Sequence, residues 1–191
     1  MFRRTLPAVL LLAASLTCLG GTTVASATVL AKPVTFTGKI SCKVAPTSTI
    51  TVKPGLTESD RKVTFTITAT TAGCTGHTRQ GGSKIVSGKI SGHVTGTFSC
   101  IGLFFEGPPA MPATVIWKAT GKAAAPTEVA LTDGQLNESG TQVRYSAKQT
   151  GSFKGSGSAE VNPKQTESEL EAECTTTTGL TTINVSSGVF T

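Results

Sequence analysis

Along residues 83–100 the chain alternates with a period of two. Gly88, Ile90, Gly92, Val94, Gly96, Phe98 and Cys100 are apolar or glycine, and Ser87, Lys89, Ser91, His93, Thr95, Thr97 and Ser99 between them are polar. Successive side chains of a strand point to opposite faces, so this stretch predicts one long β-strand with a greasy face and a wet face. The pattern recurs. Val34, Phe36, Gly38, Ile40, Cys42 and Val44 predict a first strand, and residues 48–52 a short second one closed by Pro54-Gly55. Val63, Phe65, Ile67 and Ala69, set against four threonines, predict a third, followed by a loop over 72–82. Residues 114–119 resume a strand with Val115 and Trp117 on one face. Residues 128–131 predict another, closed by the hairpin-type dipeptide Asp133-Gly134. Over 142–161, Val143, Tyr145, Ala147, Gly151, Phe153, Gly155, Gly157, Ala159 and Val161 share one parity, as in a single long, bent strand. Ile183, Val185 and Val189 predict the last.

One segment departs from this rhythm. Thr166 followed three residues later by Glu169 has the form of a capping box, and Leu170 and Cys174 fall four apart, on one face of a short helix. The chain is therefore expected to be all-β: an antiparallel β-sandwich or closed barrel of about eight strands, with one short helix near the C-terminus.

The first 27 residues change where this fold is expected to work. Arg3 and Arg4, an apolar run over 6–19 and Ala25-Ser26-Ala27 have the layout of a secretory signal peptide, which leaves 28–191 as a single β-rich domain beginning at Thr28. The apolar run is short for a membrane span and no second one follows, so no transmembrane helix is expected after signal removal. Thr17 before Cys18 does not suit a lipobox. Without Arg3 and Arg4, fifteen basic residues face eleven acidic ones, a net charge of +4. The lysines are spread along strand faces without interleaved aromatics, which argues against nucleic acid.

Cys42, Cys74, Cys100 and Cys174 remain, an even number in an exported chain, and predict two disulfides. Three connectivities are open. If the third strand pairs with both the first and the long fourth, and the ends of the first and fourth meet, Cys42 joins Cys100 and Cys74 joins Cys174.

Catalytic equipment is sparse. His77 and His93 are the only histidines, no G-x-S-x-G elbow occurs, and Cys74-Thr75-Gly76-His77 is half a zinc site without a second half at recognisable spacing. No enzyme, cofactor or metal is expected. Glu167, Glu169, Glu171 and Glu173 alternate around a helix and do not converge. The candidates for contact with a partner lie in two loops: Phe104 and Phe105 beside Pro108-Pro109, read first as a cover for the open end of the core and second as a binding tip, and His77 with Arg79 among glycines, read first as a plain turn and second as a small anion nest. Asn137-Glu138-Ser139 and Asn184-Val185-Ser186 match the glycosylation sequon.

Taken in order, T-G-K-I-S-C (37–42), A-G-C-T-G (72–76), V-I-W-K-A (115–119), G-S-F-K-G-S-G-S-A-E-V (151–161) and E-L-E-A-E-C (169–174) resemble a group of small exported proteins of unassigned function from high-GC Gram-positive bacteria. The resemblance covers nearly all of 28–191, and its most specific points are the cysteines and Trp117. It implies a β-rich exported domain and carries over no activity or site. The expected role is that of a non-enzymatic, secreted or cell-envelope-associated domain with a structural or binding function, its partner an envelope component or an apolar small molecule. An alternative is a lipid or small-molecule carrier with a barrel cavity. A membrane β-barrel is a third class, for which one Trp and one Tyr make poor interfacial girdles.

Overall fold

The computed structural model describes residues 32–77, 81–137 and 141–191, excluding the side chains of His77 and Phe105. The predicted signal peptide, Cys18, Arg79 and two residues of the first sequon, Glu138 and Ser139, lie outside the described residues. The alternating stretches become nine strands: β1 (Gly38–Val44), β2 (Thr49–Leu56), β3 (Arg61–His77), β4 (Lys84–Phe98), β5 (Met111–Thr120), β6 (Thr127–Leu136), β7 (Val143–Gly151), β8 (Gly155–Pro163) and β9 (Leu180–Phe190). Helix α1 (Cys100–Phe105) links β4 to β5, and α2 (Glu167–Cys174) links β8 to β9.

Each strand from β2 onward pairs antiparallel with its neighbour in sequence, and β9 pairs back onto β2, closing a ring of eight. Full closure removes the sheet edges that an open sandwich would leave. β1 belongs to the same stave as β2. Both run antiparallel to β3 and β9, with Val44 opposite Thr71 and Gly188, and Thr49 opposite Thr68 and Asn184. The extra residues 45–48 bulge out and are tied down. Ala45 N–H donates to Thr70 O (2.8 Å), Ser48 Oγ accepts from Thr70 N–H (3.2 Å), and Val185 N–H donates to Ser48 O (3.0 Å).

The apolar parity faces inward as expected. On β4, Ile85, Gly88 and Ile90 are buried while Lys89, Ser91, His93 and Thr95 are exposed. Val115 and Trp117 on β5, Val129 and Leu131 on β6, and Val143, Tyr145 and Ala147 on β7 join them in the interior.

Where the structure differs, local backbone geometry is the reason. Residues 142–161 are a hairpin, because Gly151 (φ +86°) and Phe153 (φ +59°) turn the chain between β7 and β8. The turn preserves the parity of the inward residues, so the alternation runs through it unbroken. β3 extends to His77, so most of the expected loop over 72–82 is strand and Cys74 lies on it. Asp133 (φ +52°) and Gly134 form a bulge inside β6, where a Cβ on residue 134 would sit 2.5 Å from Pro108 O, and not a hairpin turn. A register shift between β8 and β9 at Asn162/Pro163 reverses parity, so Val189 faces outward and Phe190 inward.

The disulfides are Cys42–Cys74 and Cys100–Cys174, which corrects the expected pairing. The third strand does pair with both the first and the long one, but β1 takes only its far half. Val44 sits opposite Thr71, level with Gly88 near the start of β4, whereas Phe98 lies at the other end, opposite Arg61. Cys42 and Cys100 are thus at opposite ends of the barrel.

Candidate functional site

The barrel has two differently built ends and an apolar interior between them. At the first end, residues 32–37 cross the opening as a strap. Val34 N–H donates to Ala123 O (2.9 Å) and Ala125 N–H to Val34 O (2.8 Å), and Gly38 (φ +87°) then turns the chain into β1. This differs from the expected strand start at Val34. Beneath the strap, Phe36 and Phe153 lie 6.1 Å apart, Trp117 meets Phe153 edge-on at 5.3 Å, and Trp117 and Phe190 lie 6.2 Å apart. A buried relay holds this aromatic plug. Trp117 Nε1–H donates to Thr127 Oγ1 (2.8 Å), Thr127 hydroxyl to Ser152 O (2.6 Å), and Ser152 hydroxyl to Ala125 O (2.8 Å), while Ser152 Oγ accepts from Phe36 N–H (3.2 Å). Buried polar groups that are mutually satisfied in this way add specificity without an unpaired-dipole penalty.

At the other end the two helices form a lid. Ser99 starts α1, its Oγ accepting from Gly102 N–H (3.2 Å). Sequence pattern alone missed this helix. Its signal was Ser99 at an N-cap spacing, outweighed by the neighbouring Pro108-Pro109. Helix α2 has the predicted capping box: Glu169 N–H donates to Thr166 Oγ1, and Thr166 N–H donates to the Glu169 carboxylate at 2.7 Å. That backbone bond, with a second from the Thr166 hydroxyl, holds the Glu169 carboxyl below the usual carboxylate range, so the cap is fully made at neutral pH and loosens in acid. Cys100 at the start of α1 is bonded to Cys174 at the end of α2, and Leu170 and Cys174 point inward together.

The predicted contact residues separate on this frame. Phe104 is half-buried, packing with Leu103 and Leu170 under the lid, so it covers the core. Phe105 and His77 have undescribed side chains and Arg79 is undescribed. Phe105 adjoins Phe104 on α1 at the lid end, whereas β3 carries His77 to the strap end, so the two candidate loops are not brought together. His93 is exposed on the outer face of β4, opposite Thr66. Among the described residues no cluster of three His, Cys, Asp or Glu is placed to hold a metal, and no helix is long and apolar enough to cross a membrane.

Two apolar chambers lie inside. One, about 40 Å³, sits mid-barrel against Ile90, Leu131 and Phe190; the other, about 30 Å³, sits under the lid against Phe65, Phe104 and Leu170. Ile50, Tyr145, Val161 and Val185 border both. Tyr145 is the only tyrosine, and burial pushes its hydroxyl well above its ordinary value. A folded-state pKa above the unfolded one stabilises below about pH 10, and that contribution fades as pH rises toward the folded value. Phenolate absorbance is therefore expected to stay absent while the barrel is folded and to rise together with loss of β circular dichroism in alkali. A phenolate that titrates near pH 10 in the intact barrel would contradict this burial.

Gln149 is a polar residue that the parity carries into the interior. It occupies the inward position after Val143, Tyr145 and Ala147, and is 4% exposed. Its Nε2 donates to Thr191 O (2.7 Å), and its Oε1 is buried without a partner among the described residues.

No protein-family model, curated protein or solved structure matches this chain.

Proposed function

We propose that the protein is an exported, non-enzymatic binding module of the cell envelope or extracellular space, whose disulfide-clamped barrel presents its recognition surfaces on a rigid frame. The observation that carries this reading is the pair of disulfides. Cys42–Cys74 staples the broken stave to β3, and Cys100–Cys174 ties the two lid helices together, a pair of bridges compatible with an oxidising, extracellular setting. The leader-like segment over 1–27 and the resemblance to small exported proteins of high-GC Gram-positive bacteria point the same way. Outward strand positions are mostly Thr, Ser and Lys, the reverse of a lipid-facing band, which favours a water-exposed barrel over a membrane one. Expressed with its own leader in a Gram-positive host, the chain is expected in the medium or envelope fraction, processed near Thr28 and without free thiols. Unprocessed chain in the cytosol with titratable thiols would overturn the proposal.

The two apolar chambers favour a second reading, a carrier for a small apolar molecule. At about 40 and 30 Å³ they are far below the roughly 150 Å³ that accommodates benzene, so a carrier must open its lid to load. Native mass spectrometry of the exported protein decides it: a retained apolar ligand supports the carrier, and a bare mass removes it.

A further inference from the structure

At the lid end β4 outruns its neighbour. β5 pairs with it only as far as Gly92, opposite Ala113, and the next residue of β5 is Pro112, which has no N–H to give. β3 stays with β4 to its last residue, Phe98, opposite Arg61. Residues 93–98 therefore have a strand on one flank and, among the described residues, none on the other. The direction of their backbone groups follows from β3. Thr70 donates its N–H to Ser48 Oγ and accepts from Ala45 N–H, both on the side away from β4. Along an unbroken antiparallel register these groups alternate, so the odd residues of β3 bond the even residues of β4. His93, Thr95 and Thr97 thus direct N–H and C=O to the open flank. The 2.7 Å contact between the Thr64 and Thr95 hydroxyls fits the closer side chains of a non-hydrogen-bonded pair. A cleft of about 450 Å³ lies beside this edge, between Thr97-Phe98 and residues 107–109. Phe65, Leu103 and Pro108 border both the cleft and the chamber under the lid, so its floor is apolar, and Ile101 beside it is 56% exposed. Asp60 and Glu106 stand on its rim, both exposed and without an ion-pair partner among the described residues.

We propose that the open edge of β4 is a β-augmentation site that receives an extended segment of a partner protein, apolar at alternate positions and basic at its first residues. Three features define this occupant. The exposed edge offers the backbone groups of three alternate residues, and such bonds supply the affinity in this mode of recognition. Facing residues of an antiparallel pair share a side of the sheet, so occupant residues opposite Val94, Gly96 and Phe98 turn to the apolar floor and those between them turn outward. Asp60 directly precedes the Arg61–Phe98 pair, so the residues entering the edge, beside Ser99, meet the two carboxylates. An Arg or Lys there lays its stem against Ile101 and brings its charge to Asp60 and Glu106. Lys62, exposed on the outer face opposite Thr97, disfavours a further cation at the next outward position, which suits Thr.

This deepens the binding reading and rests on it. The probe is acetyl-Lys-Arg-Val-Thr-Val-Thr-amide, titrated into the purified, isotope-labelled protein and followed by NMR. The expected result is a shift of the Thr95 and Thr97 amides with slowed hydrogen exchange at both. An Asp60→Lys/Glu106→Lys variant is expected to weaken binding about tenfold. Thr97→Pro, which removes a donor aimed at the open flank, is expected to abolish it while the barrel keeps its β circular dichroism, and Thr97→Ala, which keeps that donor, to bind as the parent does. No shift at millimolar peptide, undiminished binding by folded Thr97→Pro or by the double-lysine variant, or the same shifts from arginine amide alone would overturn the proposal. Concentration-dependent shifts of these amides without peptide would overturn it too, making a second copy of the chain the occupant. Export is read separately by fractionation, so a silent titration with exported protein removes the β4 edge alone.

Discussion

Replacing Trp117 with alanine is expected to cost about 3–5 kcal/mol of folding stability, the range for deleting a buried large aromatic. The ring does three things at once. It packs edge-on to Phe153 and against Phe190, and it fills the space over Gly88, where a Cβ would come within 2.8 Å of two ring carbons. It also feeds the relay through Thr127 and Ser152 that holds the strap. Because glycine faces the ring, that side of the hole has no side chain to fill it. Taking a urea dependence of about 2 kcal/mol/M, the unfolding midpoint followed by circular dichroism should fall by about 2 M. Trp117→Phe keeps most of the packing and loses the donor, for a smaller loss of about 1–2 kcal/mol. A Trp117→Ala loss below about 1 kcal/mol would mean that the plug is not a cooperative part of the core.

The double substitution Cys100→Ser/Cys174→Ser is expected to cost about 4 kcal/mol, because the bridge closes a loop between residues 74 apart in sequence. Removing Cys42–Cys74, whose partners are 32 apart, should cost about 0.7 kcal/mol less on the same chain-entropy basis. The two losses differ in character. Cys42 and Cys74 sit on paired strands, so the β1–β3 ladder remains without the bridge. Without Cys100–Cys174, α1 and α2 lose their covalent tie, and Leu103, Phe104 and Leu170 can lift from the lower chamber. The Cys100→Ser/Cys174→Ser protein is therefore expected to bind an apolar dye below its unfolding midpoint, and the Cys42→Ser/Cys74→Ser protein is not. Equal dye binding by both would contradict the lid.

Features set by neighbours in sequence were legible. The alternation through Gly88, Ile90 and Val94 assigned the inner face of β4, Thr166 and Glu169 located α2, and the even cysteine count predicted two bridges. Features set by register were hidden. Barrel and sandwich differ in whether β9 meets β1 and β2, a pairing between opposite ends of the chain that no local pattern encodes. The cysteine partners depended on which half of β3 receives β1. Asp133-Gly134 has the composition of a hairpin, yet the ladder continues past it because Leu136 still finds Val143. Gln149 takes an inward position of β7 although it is polar, and its bond to Thr191 O is a contact between distant segments that no local pattern encodes.

The split stave also orders events in time. β3 through β8 pair hairpin by hairpin with their neighbours in sequence, whereas β1 and β2 must wait for the distant β9 before their second flank is covered. Until β9 pairs, the sheet keeps two open edges, so closure of the cylinder waits on pairings as distant in sequence as Cys42 with Phe190.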